Sequence, residues 1–280
     1  MKRTYLIIFL LPIFFTYALG TGNAGEKPGQ VGEIRKGIQD EGSCAIVGMS
    51  AEQSQLTALQ RARAAAIEEA AGVAVTSGTL VTNFTVATDF IKTYARGFIV
   101  GEQVEWMPLG QYQKDPSTAP IPEYRVRIIA DVYVPARKAP ALGLRAKLNN
   151  AVFRSGEQAR ITVAVNKDGG IAIFNITADD RVALIFPNIH EPNNVLAAGK
   201  DFVFPARDAK VVLEMQTLPS HQKDAEAFLV LAWDRSRDIR IMDIFPGTDP
   251  LGFSEFFRKL AEVADNVEEA ILPYEVVAGQ

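Results

Sequence analysis

Two histidines, His190 and His221, and one cysteine, Cys44, are the chain's whole stock of imidazole and thiol. Zinc and copper sites usually draw on several such ligands, so a transition-metal centre is not expected. His221 follows Ser220, but no Gly-x-Ser-x-Gly surrounds the pair, so the elbow that presents a nucleophilic serine is missing. Asp179-Asp180 and residues 166–170, Asn-Lys-Asp-Gly-Gly, offer oxygen ligands for calcium. Neither has the spacing of a calcium loop, and both fit turn chemistry better. Gly97 and Gly101 stand in a β-branched run with no helix after them, so they cradle no phosphate. Arg235, Arg237 and Arg240 alternate with Asp234 and Asp238, as in a solvated turn. No catalytic, cofactor-binding or metal-binding residue is assigned, no cofactor is expected, and the chain is read as not an enzyme.

The elements that would carry these residues divide into a leader and two lobes. At 280 residues the chain can bury two separate cores. Lys2 and Arg3 precede an apolar run over residues 5–19, followed by small residues to Ala24. That pattern predicts a secretory signal peptide over residues 1–24. As a helix the run would span roughly 22 Å, short of a hydrocarbon core of about 30 Å. Cys44 lies too far beyond it to be lipidated at the cleavage site, so a periplasmic protein that is not a lipoprotein is expected, touching membrane only through the signal segment. A lone cysteine permits no intrachain disulfide, and Cys44 is read as a small buried residue on a strand. Cleavage would remove Lys2 and Arg3 from the 29 basic residues and none of the 33 acidic ones, leaving a net charge of −6. Such a balance offers nothing to nucleic acid.

Residues 25–40 are polar and aperiodic and read as a flexible lead-in. A strand is expected over residues 44–49. Ser50 and Gln53 then form a capping-box pair for a helix running to Ala71, with Gly72 as its stop. Leu56, Leu59, Ala66, Ile67 and Ala70 share a narrow face suited to close packing on a sheet. Residues 73–77 suggest a short strand and residues 89–94 a short helix. Residues 97–106 and 124–134 alternate as an antiparallel strand pair, joined by a long proline-bearing loop over 107–123. This order, with the Ala-Arg-rich helix, the Gly72-Val73 exit, the Thr76-Ser77 and Val81-Thr82-Asn83 stretch, Gly97 and the closing Ala-x-Val strand, resembles the amino-terminal domain of the flagellar assembly protein T and the LPP20 lipoprotein family. The resemblance implies an α+β domain over residues 41–134, a long helix packed on a small antiparallel sheet, without recognised catalytic residues.

Residues 135–143 form a proline-bearing linker. Beyond it, short strands are expected at 159–165, 171–176, 182–186, 201–204, 209–215 and 225–233, with a turn at 166–170. Their spacing predicts an all-β immunoglobulin-like sandwich. Ser155-Gly156-Glu157, Asn175-Ile176-Thr177-Ala178-Asp179, Leu184-Ile185-Phe186-Pro187-Asn188, Asn194, Ala198-Gly199 and Phe204-Pro205 resemble the domain of unknown function DUF4384, which implies a β-sandwich and no activity. The tail, with Phe253, Phe256, Phe257, Leu260, Val263, Ala264, Val267, Ala270 and Ile271 at helical spacing, predicts a C-terminal amphipathic helix stopped by Pro273. The second domain spans residues 144–280. Together these features lead to the expectation of a non-enzymatic exported envelope protein, a protein-protein interaction or assembly module in the periplasm. Its partners would be envelope proteins, such as a flagellar or secretion-type assembly. The alternative is a periplasmic glycan- or peptide-binding accessory that grips its ligand through the 107–123 loop.

Overall fold

The computed structural model describes residues 32–72, 96–113, 115–136, 141–206, 208–247 and 249–279. Its longest helix, α1 (Ala51–Ala71), starts and ends where the sequence predicts. The Ser50 hydroxyl accepts from the Gln53 N–H, the Gln53 side chain accepts from the Ser50 N–H, and Gly72 closes the helix in the left-handed region. Ser50→Ala should therefore lower the unfolding free energy by about 1 kcal/mol, measurable as a lower urea midpoint. The contact stripe is smaller than predicted: Ser54, Ala58, Ala62, Ala66 and Ala70 recur every four residues and are buried, while Leu56 and Leu59 are only half-buried. Small side chains on that stripe let the helix backbone approach the sheet.

That sheet contains β1 (Glu33–Ala45), β2 (Phe98–Trp106), β3 (Gly110–Tyr112) and β4 (Ile121–Val134). β4 lies between β1 and β2, antiparallel to both, and β3 adds to its start. The predicted pair of long strands is present, and the 107–123 loop is partly ordered by β3. The flexible lead-in over 25–40 needs correction, because β1 begins at Glu33 and reaches Ala45, while residues 46–49 are a turn. β1 hid because it is an edge strand in which charged residues sit at both parities and Gly37 takes a bulge. Main-chain pairing to β4 holds it, and that leaves little trace in hydropathy. The strand expected at 73–77 and the helix expected at 89–94 lie outside the described residues, as do residues 1–31 with the signal segment. Among the described residues no helix is long and apolar enough to cross a membrane.

Beyond the linker follow β5 (Arg145–Leu148), β6 (Val152–Arg154), β7 (Gln158–Ala159), β8 (Ile161–Ala164), β9 (Gly169–Ile176), β10 (Arg181–Phe186), β11 (Val195–Leu196), β12 (Phe202–Phe204), β13 (Leu213–Glu214) and β14 (Lys223–Asp234). Then come the one-turn α2 (Ile241–Ile244), β15 (Leu251–Gly252), α3 (Phe253–Ala261) and β16 (Val267–Val277). A large sheet runs in the order β15-β10-β9-β14-β16-β6, with β11 on β9, and a small one in the order β12-β8-β5. The two enclose an apolar cluster that includes Phe153, Ile161, Val163, Ile173, Phe204 and Val230, as a β-sandwich requires. The turn at 166–170 is not a hairpin: β8 and β9 belong to different sheets, and the chain crosses between them there.

The tail helix also needs correction. α3 stops at Ala261, and Val267, Ala270 and Ile271 belong to β16, paired with β14 along its length. Both periods fit that stretch, and a full ladder of main-chain bonds to β14 favours the strand. Pro273 does not break it, since β6 joins β16 only from Glu275 onward.

β9 and β14 are buried on both faces. Ile173 and Val230 point into the sandwich, whereas Phe174 and Leu229 join a second cluster with Ile67 of α1, Val126 of β4 and Phe256 of α3. This explains their unbroken apolar runs, which a one-sided sheet would have interrupted with polar residues. α3 makes the join: Phe257 stacks on Phe98 of β2 at 5.4 Å, and Phe256 meets Phe174 edge-on at 4.9 Å. Asp265, just after α3, accepts the Gly32 and Ala136 N–H groups, and Glu268 accepts those of Leu142 and Leu144. Both sequence stretches thus contribute to one core.

Candidate functional site

The densest polar chemistry among the described residues lies on the two sides of the 177–181 hairpin, which joins β9 to β10. On one side is the end of the sandwich core. Glu226 of β14 stands directly opposite Tyr274 of β16, and Asn175 of β9 shares their face. The Tyr274 Oη lies 2.6 Å from Glu226 Oε2 and 2.7 Å from Asn175 Oδ1, while the Ala178 N–H of the hairpin donates to Glu226 Oε1. Burial pushes the Glu226 carboxyl up to about 7, and Tyr274 and Ala178 only partly oppose it. Burial and the adjacent Glu226 hold the Tyr274 hydroxyl well above the usual phenol value. Tyr274→Phe would leave the buried Glu226 carboxyl and the half-buried Asn175 amide short of a partner. It should cost about 1–3 kcal/mol of stability in urea unfolding, while Phe keeps the ring against Phe228.

Two residues back along β14, Asp224 takes the Leu218 N–H on one oxygen and His221 Nδ1 on the other at 2.6 Å. Lys223 pairs with Glu275 at 2.6 Å. The His221–Asp224 contact is the one histidine–carboxylate pair among the described ion pairs, and sequence reading did not foresee it. His221 Nδ1 is thereby committed to Asp224, whose two oxygens are both in use.

On the other side of the hairpin stands Arg63 of α1. Its guanidinium bonds both oxygens of Glu102 on β2 and one oxygen of Asp180 at the hairpin tip, and lies 4.6 Å over the Phe253 ring. Gln60 donates to the other Asp180 oxygen, and the Ser254 hydroxyl at the start of α3 donates to Glu102. Burial pushes the Asp180 carboxyl up against the pull of Arg63 and Gln60. Four elements therefore meet on one cation, an arrangement that fixes their relative position.

The sequence candidates separate in space. His190 is exposed on the 187–194 loop, its N–H given to Asn188, and Cys44 is buried at the end of β1 with its thiol pushed up by burial. Asp179 accepts from the Thr177 hydroxyl, as turn chemistry predicts, but Asp180 at φ 58° does more than turn the chain. Asp168 accepts the Ala198 N–H at the crossing between sheets. Arg235, Arg237 and Arg240 are exposed. Among the described residues no group of three His, Cys, Asp or Glu is placed to hold a metal ion. A shallow recess of only about 10 Å3, lined by Phe174, Phe245, Phe256 and Asp249 among others, lies elsewhere on the large sheet. Sequence reasoning missed Arg63, Glu102, Glu226 and Tyr274. The available signal was Asp224 and Glu226 at alternate positions of a strand otherwise apolar, where an inward carboxylate needs a partner.

By architecture the chain is an α+β layer joined through a shared core to a two-sheet β-sandwich. Residues 152–223 match the family model described as Domain of unknown function (DUF4384), which takes in β6 through β13 and the first residue of β14. No curated protein matches the chain.

Proposed function

We propose that this chain is a non-enzymatic, exported envelope protein that acts in the periplasm as an interaction or assembly module. The observation that carries the reading is the use made of the buried ionic groups. Arg63, Glu102 and Asp180 tie α1, β2, α3 and the 177–181 hairpin together, and His221 is spent on Asp224. A rigid body whose polar groups serve its own joints suits a part held within an assembly. The leader pattern of residues 1–24 supports export, and the resemblance of residues 41–134 to the flagellar assembly protein T and LPP20 families supports an envelope partner. An immunoglobulin-like strand arrangement in the sandwich belongs to the same proposal.

A test is capture with the tagged full chain from envelope extracts. Discrete protein partners, retained by His221→Ala, are expected. Turnover of a model ester or glycan that His221→Ala abolishes would overturn the reading.

One observation favours a second reading, a glycan- or peptide-binding accessory. Trp106 and Leu109, at the start of the 107–123 loop, are 39% and 58% exposed, and Trp106 meets Tyr124 edge-on at 6.3 Å. Exposed aromatic rings of this kind suit sugar faces and apolar peptide side chains. Retention on purified peptidoglycan that Trp106→Ala removes, with no protein captured, would favour this second reading over the first.

A further inference from the structure

The Tyr274 hydroxyl has one proton and two oxygens within bonding distance, Asn175 Oδ1 and Glu226 Oε2. If Glu226 is a carboxylate, both oxygens compete for that proton. If Glu226 is a carboxylic acid, its own proton goes to Tyr274 Oη and the tyrosine proton goes to Asn175, so each proton has its own acceptor and no two oxygens compete for one. The other Glu226 oxygen accepts the Ala178 N–H at 3.3 Å. The same hairpin is gripped from its far side through Asp180, by Arg63 and Gln60 of α1. The Gln53 side chain adds a second tie, donating to the Lys223 carbonyl at the start of β14. A single buried carboxyl thus stands behind the strap that ties α1 to the sandwich.

We propose that Glu226 is a proton-operated latch, which holds the 177–181 hairpin, and through Asp180 the helix α1, against the sandwich while protonated and loosens both when it loses its proton. Burial and the nearby carboxylates favour the protonated state and outweigh the Tyr274 and Ala178 hydrogen bonds, which favour the carboxylate. On β14 stand Asp224, bonded to His221 of the preceding turn, and Lys223, which pairs with Glu275 of β16. The hairpin brings Asp179, which accepts from Thr177, and β9 brings the neutral Asn175. Burial is the largest cause of the upward shift from 4.5 to about 7, and Asp224 and Asp179 push the same way. A folded value above the unfolded one means the unfolded chain gives up this proton first as pH rises. The stabilisation is therefore complete below about pH 4.5 and is lost as pH climbs through about 7.

The test is hydrogen–deuterium exchange on the full chain at about pH 5.5 and about pH 8, corrected for the intrinsic pH dependence of exchange. In the native chain the protection of residues 177–182 and of the 53–63 stretch of α1 should fall about tenfold at the higher pH, and in Glu226→Gln it should change less than about twofold. Equal protection at both pH values in the native chain, or the same fall in Glu226→Gln, overturns the latch. Should Glu226→Gln fail to fold, the carboxyl carbon resonance of Glu226 in the native chain decides. Titration above about pH 6 supports the latch, and titration in the ordinary glutamate range, as expected if the Asn175 amide is turned to donate to Tyr274, overturns it.

Discussion

Arg63→Met should lower the unfolding free energy by about 3–5 kcal/mol. Glu102 and Asp180 would then keep their charges in a buried site without the guanidinium that bonds both, and their side chains are only 10% and 12% exposed. Methionine is close to arginine's length and retains the apolar contact with Phe253, so the loss reports on charge rather than volume. Removing all three charges should recover much of it. The variant Arg63→Met/Glu102→Met/Asp180→Asn suits this, because asparagine tolerates the left-handed backbone at position 180. Urea midpoints of the single and triple variants measure both effects. A single variant within about 1 kcal/mol of the native protein would show that the four elements do not depend on this cation.

Gly42→Ala should be comparably damaging, about 4 kcal/mol or more, for a steric reason. A methyl group there would stand 2.0 Å from the Ala58 carbonyl oxygen and 2.6 Å from the Ala62 nitrogen. Both are backbone atoms of α1, so no rotamer change relieves the overlap, and the helix must lift from β1. Lifting it separates Ala58, Ala62 and Ala66 from the sheet and strains the Arg61 bond to the Ser43 carbonyl. Gly37→Ala is the control. Its methyl group would meet nothing within 4 Å, but the backbone sits at φ 71°, so a cost of only about 1–2 kcal/mol is expected. Circular dichroism melting of the two variants should separate the two causes.

The parts of the fold legible in the sequence are those governed by local rules. Ser50, Gln53 and Gly72 act within a few residues of one another, so α1 could be bounded to the residue. β4 could be read because one face is buried and one solvated, and β9 and β14 because their apolar runs are too strong to be loops. Illegible were β1, held by main-chain pairing under a charged sequence, and β16, whose apolar spacing also satisfies a helix. The hub of the candidate site was illegible for a related reason. Arg63 and Asp180 are 117 residues apart, and nothing near either announces the other. His221 and Asp224 are three residues apart, but that spacing alone does not show that the two side chains meet.

The two sequence stretches fold as one body, with α3 and Arg63 at the join. The chain has two tryptophans, and they fall on opposite sides of that join: Trp106 on β2 and Trp233 on β14. Equilibrium urea unfolding of Trp106→Phe and Trp233→Phe, each followed by the fluorescence of the tryptophan that remains, tests the claim directly. Within each variant the remaining tryptophan and far-UV circular dichroism should report one and the same midpoint and slope, and transitions that separate between the two probes would contradict it.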